Sequence, residues 1–333
     1  MSCIKSLLQA SKQPSPQCQM TNNQLPITNT KTLVLILGPT GVGKTELSLR
    51  VAERYACPIV SCDSRQVFRG IPIGTAAPTE EEQRRVKHYF VGTRELEEDY
   101  NAGQYEREAL ELLEGLFAEH DVVVMTGGSM LYADAVCNGL DDLPAVPFSI
   151  RASVRREYEE KGLEWLQREV QRLDPDYWEE VDRNNPARLA HCVELSMTTG
   201  RPYSSLRTRT KKERPFRVVK VGLERPREEL YARINVRVEQ MIADGLVEEA
   251  RKVYPKRRLT SLQTVGYREL FAYFDGEYDL ARAIELIQQN SRHYAKRQMT
   301  WFRKDKTIHW LNANDEYEKN MDTIDALLRD DSL

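Results

Sequence analysis

Residues 36–48 read ILGPTGVGKTELS, and no other stretch restricts the possible folds of this chain so strongly. An apolar run at 33–37 leads straight into GPTGVGKT at 38–45, which satisfies G-x-x-x-x-G-K-[ST] at every fixed position. Its glycines let backbone N–H groups turn inward on an anion. The helix that follows offers its positive end, Lys44 adds a point charge, and the Thr45 hydroxyl can ligate Mg²⁺. A loop of this kind works only between a buried strand and a helix. The motif therefore predicts an α/β fold with a P-loop NTPase-like core around a parallel sheet. Gly38, Pro39, Thr40, Gly41, Val42, Gly43, Lys44 and Thr45 form the expected phosphate-binding set.

The rest of the chain supports that core. A helix is expected at 44–55, with further strands at 59–62, 122–125 and 218–223 and a helical run at 105–120. Each strand ends in small or chemically capable residues: 38–45, 63–66, 126–129 and 224–227. In open α/β sheets ligands bind outside the carboxyl ends of the strands, so these four loops are expected to converge on one crevice. Between 141 and 203 the strand signals stop, and charged helices carrying Trp and Arg follow the Pro-punctuated DDLPAVP. This reads as an all-helical insertion, with the core interrupted at 31–140 and completed by 204–333. Pro226 is well placed to start a helix.

With 41 % hydrophobic and 30 % charged residues, a sizeable core under a well-solvated surface is accessible. The first 30 residues, rich in Ser, Gln, Asn, Thr and Pro and without an acidic residue, read as a disordered tail. The six scattered cysteines, none in a C-x-x-C pair, read as reduced thiols of a cytosolic protein without a zinc site. A net charge of −3 argues against a globally basic coat but leaves local patches open.

The second strand runs into SCDSRQVFRG. A carboxylate such as Asp63 at a strand tip beside a phosphate loop could ligate Mg²⁺, act as a general base, or cap the next turn. Arg65 and Gln66 offer donors to a base edge or a phosphate.

GPTGVGKT, DSRQVFRGIPIGTAAPT, HYFVG, TGGSMLY, NNPARLAHCVEL, SLQTVGYREL and AKRQMTWFRKD occur in that order. Together they resemble the tRNA dimethylallyltransferases along nearly the whole chain after the tail. The resemblance implies transfer of a dimethylallyl group from dimethylallyl diphosphate to N6 of the adenosine 3′-adjacent to the anticodon. It implies that the loop holds a prenyl diphosphate, with Mg²⁺ near Thr45, and that the insertion grips the anticodon stem. Asp63, Ser129 and Lys44 are then the expected catalytic residues. Thr40, Gly41, Gly43, Thr45 and Arg268 are expected on the prenyl diphosphate. Asp63, Ser64, Arg65, Gln66, Ser129, Ala187, Arg188, Leu189, Ala190, His191 and Gln263 are expected on the tRNA. A cytoplasmic monomer is expected. Ala77, Phe68, Lys87, Tyr89, His191 and Cys192 depart from the family's usual residues, and Ser129 stands where threonine is usual.

Two basic stretches, 201–220 and 292–306, read as RNA-backbone footprints, the second interleaved with aromatics. Trp301 and Phe302 are expected inside the protein, and His88 reads as structural. A small-molecule kinase, a prenyltransferase acting on free adenine nucleotides and a non-catalytic RNA-binding protein share some of these features. The insertion, the basic stretches and the intact Lys44, Thr45 and Asp63 favour the tRNA-modifying reading.

Overall fold

Six strands make one parallel sheet in the order β3-β2-β4-β1-β5-β6. They are β1 (Thr32–Leu37), β2 (Ile59–Ser61), β3 (His88–Tyr89), β4 (Val122–Thr126), β5 (Arg217–Glu224) and β6 (His309–Asn312). The computed structural model describes residues 30–208 and 210–330. The expected tail apart from Thr30, together with Cys3, Cys18 and Arg209, lies outside the described residues.

β1 sits at the centre of the sheet and is buried along its whole length. Strand side chains alternate between faces. Val34 and Ile36 join a core formed with the helices Lys44–Arg54 and Tyr317–Arg329. Leu33, Leu35 and Leu37 join another core, under the helix Ala102–Glu119. Burial on both faces explains why the strand reads as a continuous apolar run. The two edge strands, β3 and β6, were not expected. Each is short and half-exposed, so neither carries the apolar run that marks a central strand.

The helices Phe148–Lys161, Leu163–Leu173, Pro175–Glu180 and Pro186–Thr199 pack around a core of their own, including Val154, Leu166, Val170, Leu189 and Val193. Buried Asp174 closes this unit, accepting from the Ser204 backbone N–H at 2.6 Å and the Tyr177 N–H at 3.0 Å. A further cluster joins Arg227–Ala243, Leu246–Val253, Tyr267–Phe274 and Leu280–Phe302.

Several cations of the first basic stretch, expected on RNA, are paired within the protein. Arg214 donates to Glu106 at 2.8 Å, and the Leu140 N–H donates to the other oxygen at 3.1 Å. One carboxylate thus ties both the entry and the exit of the insertion to the core. Arg207 pairs with Glu180, Lys212 with Asp142 and Lys220 with Asp305, while Arg217 donates to the carbonyls of Leu327 and Leu328. These cations join parts of the protein instead of forming an open RNA surface. Both side chains of the Glu106–Arg214 pair are only 9 % exposed. Glu106→Ala strands a buried guanidinium and is expected to cost about 3–5 kcal/mol, read as a lowered unfolding midpoint.

Candidate active site

Three strand ends meet in one cleft of about 1090 Å³. β1 delivers the glycine loop, β2 delivers Asp63, and β4 delivers Gly127 and Gly128. The fourth expected contributor takes another part. Arg225, just past β5, turns behind the loop and donates to the carbonyls of Val42 at 2.9 Å and Ala313 at 2.6 Å.

The loop's shape follows from its glycines. Gly38, Gly41 and Gly43 all have positive φ, at 148°, 80° and 115°. A Cβ at Gly38 would lie 2.8 Å from the Leu223 carbonyl oxygen. Thr40, Gly41, Gly43, Lys44 and Thr45 line the cleft. Of the remaining three expected residues, Val42 is fully buried in the core, and Gly38 and Pro39 are buried behind the lining. Pro39 has no N–H to offer, and its carbonyl, like that of Gly38, accepts from the Lys44 ammonium, at 3.0 and 2.9 Å. Burial and the charge of Arg237 lower the Lys44 pKa to about 8, against the opposing pull of Asp63.

Asp63 divides its two oxygens. Oδ1 accepts from the backbone N–H groups of Arg65 at 2.9 Å and Gln66 at 3.3 Å, the capping role weighed from sequence. Oδ2 faces the glycine turn, 3.7 Å from where a Cβ on Gly128 would stand. The turn cannot hold larger residues, since a Cβ at Gly127 would come within 2.6 Å of the Cys62 backbone. Ser129 follows the turn and starts the helix Met130–Asn138.

Several expected site residues take positions that the sequence did not indicate. Arg65 donates to the carbonyls of Thr260 and Ser261, at 3.0 and 3.3 Å. The Gln66 amide donates to the Ala76 carbonyl at 2.9 Å and accepts from Ser61 at 3.1 Å. Both line the cleft with Ser64, and the Gln66 amide and Nη1 of Arg65 are engaged within the protein. Gln263 and Arg268 also line the cleft. Ala187, Arg188 and His191 are exposed on the insertion helix Pro186–Thr199, Ala190 is half-buried, and His191 meets Tyr203 edge-on. Leu189 is fully buried in the insertion core, so its side chain fixes that helix and cannot touch RNA. His88 lines the cleft, but its Nδ1 lies 2.8 Å from the Val86 carbonyl, as befits a structural role.

Two arginines of the site were missed. Arg233 and Arg237 stand one turn apart on Arg227–Ala243 and line the cleft opposite the sheet. Arg233 donates to the Gly41 carbonyl at 3.0 Å, and Arg237 lies 3.5 Å from the Thr40 hydroxyl. Their i, i+4 spacing in RINVR was the available signal, hidden among many other arginines. With Lys44, they place three cations on the loop side of the cleft, whose lining also holds the carboxylates of Asp63, Glu46 and Glu82.

Helix Leu280–Phe302 carries the second basic stretch. His293, Lys296, Arg297, Thr300, Trp301 and Lys304 line a shallow groove of about 360 Å³. Phe302 is buried as expected. Trp301 is not: it is 41 % exposed, with the Lys304 ammonium 5.8 Å from its ring centre. Its helix face turns outward, so the ring is available to a partner.

Mg²⁺ suits this donor set in one form only. Among the described residues no group of three or more His, Cys, Asp or Glu could enclose a metal. The Thr45 hydroxyl and the Asp63 carboxylate do line the same cleft. Mg²⁺ commonly takes one or two protein oxygens and completes its shell with water and substrate phosphates.

The chain matches the IPP transferase family model over residues 66–305. It is 55 % identical over 287 residues to tRNA dimethylallyltransferase 1 of Bacteroides thetaiotaomicron, covering 86 % of this chain and 93 % of that one. It is 56 % identical over 283 residues to tRNA dimethylallyltransferase 2 of Parabacteroides distasonis, covering 85 % and 95 %. Among solved structures, the full-length tRNA isopentenylpyrophosphate transferase of Bacillus halodurans is similar with a TM-score of 0.66 and 32 % identity, over 90 % of this chain and 95 % of that one. A eukaryotic dimethylallyltransferase acting on tRNA shares the fold with a TM-score of 0.74 at 23 % identity, over 89 % and 77 % of the two chains.

Proposed function

The chain belongs to the IPP transferase family, the tRNA dimethylallyltransferases, and from that premise we propose how its residues divide the reaction. A dimethylallyl group passes from dimethylallyl diphosphate to N6 of the adenosine 3′-adjacent to the anticodon, giving N6-dimethylallyladenosine and diphosphate. One observation carries the assignment of roles: a phosphate loop ringed by cations and a carboxylate at a neighbouring strand tip open into the same cleft.

The diphosphate lies on the loop amides, with Lys44, Arg233 and Arg237 around it. As the allylic C–O bond breaks, charge accumulates on the departing diphosphate, and cations already in place around the loop stabilise it. Mg²⁺, held near Thr45, would add further neutralisation of that charge. The exocyclic amine of adenosine is a weak nucleophile. Asp63 Oδ2 takes its proton as the new C–N bond forms. Oδ1 stays on the Arg65 and Gln66 amides and fixes the direction of the carboxylate. Ser129, next to the glycine turn but outside the cleft lining, is kept as a supporting hydroxyl, and Arg268 adds a cation to the lining.

The tRNA lies across the groove around Trp301 and the exposed face of Pro186–Thr199, so that the anticodon loop delivers its base to the cleft. RNA loops are commonly read from splayed-out bases stacked on aromatic side chains. Trp301→Ala is accordingly expected to weaken tRNA binding by about 1–3 kcal/mol, measured by filter binding, with little change in kcat. Every residue invoked lies on one chain, so a monomer suffices, acting in the cytoplasm.

The Lys44 pKa gives a pH dependence. The ammonium holds the anion, so affinity for dimethylallyl diphosphate is expected to be steady below about pH 8 and to weaken as pH rises through that value. Calorimetry across pH 7–10 reads this, and Lys44→Met should remove the dependence. The acceptor assignment is tested with an anticodon stem-loop whose target adenosine is replaced by guanosine. Transfer should vanish with that replacement; persistence would place the acceptor elsewhere in the RNA.

A further inference from the structure

Gln298 joins the two halves of the cleft. It lies on the helix Leu280–Phe302 and is 1 % exposed. Its Oε1 accepts from the Thr40 backbone N–H at 2.9 Å, on the phosphate loop. Its Nε2 donates to the Gly128 carbonyl at 2.8 Å, on the turn faced by Asp63 Oδ2. Tyr294, one turn earlier, adds a longer contact from its hydroxyl to the same carbonyl, at 3.4 Å. We infer that Gln298 is a positioning residue that sets the separation between the leaving-group loop and the base-side turn. The inference rests on the transfer reaction proposed above.

The chemistry of the two contacts selects an amide. One end meets a donor and the other an acceptor, and only a group with one of each satisfies both. An ionised carboxylate would set an acceptor against the Gly128 oxygen. A thioether of similar volume would make neither bond, and asparagine is one methylene too short to span the gap. Gly128 also fits the arrangement. Its φ is not among the positive values, so the backbone tolerates alanine there, yet a Cβ would lie 2.5 Å from Nε2. The glycine leaves room for this strap. Bond formation at the amine and bond breaking at the diphosphate must occur together, and a displacement of about 1 Å between such groups can cost about 10²-fold in rate.

The test compares wild type with Gln298→Met, Gln298→Glu, Gln298→Ala, Gly128→Ala and the double variant Gly128→Ala/Gln298→Ala, each verified by its melting temperature. Gln298→Met is expected to lower kcat about 30–100-fold with KM for tRNA within about threefold. Gln298→Glu should show a comparable loss at pH 8. Its activity relative to wild type should rise at least about tenfold toward pH 5.5, because the protonated carboxyl again offers one donor and one acceptor. The double variant should be no worse than its poorer single, since both changes break the same strap. A Gln298→Met enzyme within about threefold of wild type in kcat, or a Gln298→Glu ratio flat with pH, overturns the inference. Wild-type protein without transfer would instead sink the functional reading, and the strap with it.

Discussion

Asp63→Asn is expected to lower kcat for dimethylallyl transfer by about 10²–10⁴-fold while leaving tRNA affinity and the melting temperature close to wild type. The asymmetry of the two oxygens makes this substitution informative. Asparagine keeps an oxygen for the Arg65 and Gln66 amides, so the turn after β2 stays formed. What disappears is the basic oxygen that faces the Gly128 turn. Asp63→Ala removes both functions and should additionally loosen the turn. A variant Asp63→Asn that retains more than about a tenth of wild-type kcat would reduce Asp63 to a capping residue and require another base. Steady-state kinetics beside a tRNA-binding isotherm separates the two outcomes.

Lys44→Met is expected to cost about 10²–10³-fold in kcat, together with weaker binding of dimethylallyl diphosphate. The magnitude follows from where Lys44 sits. Burial is the largest influence on its pKa, so it acts where electrostatic interactions are poorly screened. Its charge is matched to one that grows during the reaction, on the departing diphosphate, so the loss should appear in kcat and not only in KM. Arg233 and Arg237 remain in the variant and leave residual binding. A loss below about fivefold in both parameters would assign the stabilisation to the arginines instead. Single-turnover kinetics with saturating donor distinguishes these cases.

The parts of the site legible in the sequence are those written in contiguous residues. The glycine loop carries its geometry in eight neighbouring positions, because backbone conformation there depends on the glycines themselves. Asp63 and the two glycines of TGGSMLY were legible because they immediately follow apolar strands. The loss of strand signal after residue 140 coincides with four helices, Phe148–Lys161 to Pro186–Thr199, with no strand among them. Thr40 and Gln298, by contrast, are 258 positions apart and meet only because a C-terminal helix folds back over the sheet ends. No local pattern records that meeting. Arg233 and Arg237 were illegible for the opposite reason, since arginine is so frequent here that none stands out.

The first basic stretch shows the limit of charge counting. Arg207, Lys212, Arg214 and Lys220 looked like a surface for RNA, but each has an acidic partner brought from a distant segment. A run of cations reveals its sign and not its company. Trp301 shows the converse: an apolar residue beside a buried phenylalanine was expected to be buried too, and the helix turns it outward. Periodicity over so short a run does not settle which face a residue takes.

In the proposed reaction the phosphate loop holds an allylic diphosphate for transfer to tRNA. The most direct test incubates the wild-type protein with Mg²⁺, dimethylallyl diphosphate and unmodified bulk tRNA, with free AMP and ATP in parallel reactions, and then analyses digested nucleosides by mass spectrometry. A mass gain of one dimethylallyl group on adenosine from tRNA, without gain on AMP or consumption of ATP, is the predicted result. Gain on free AMP alone, or ATP consumed with tRNA unchanged, would contradict it.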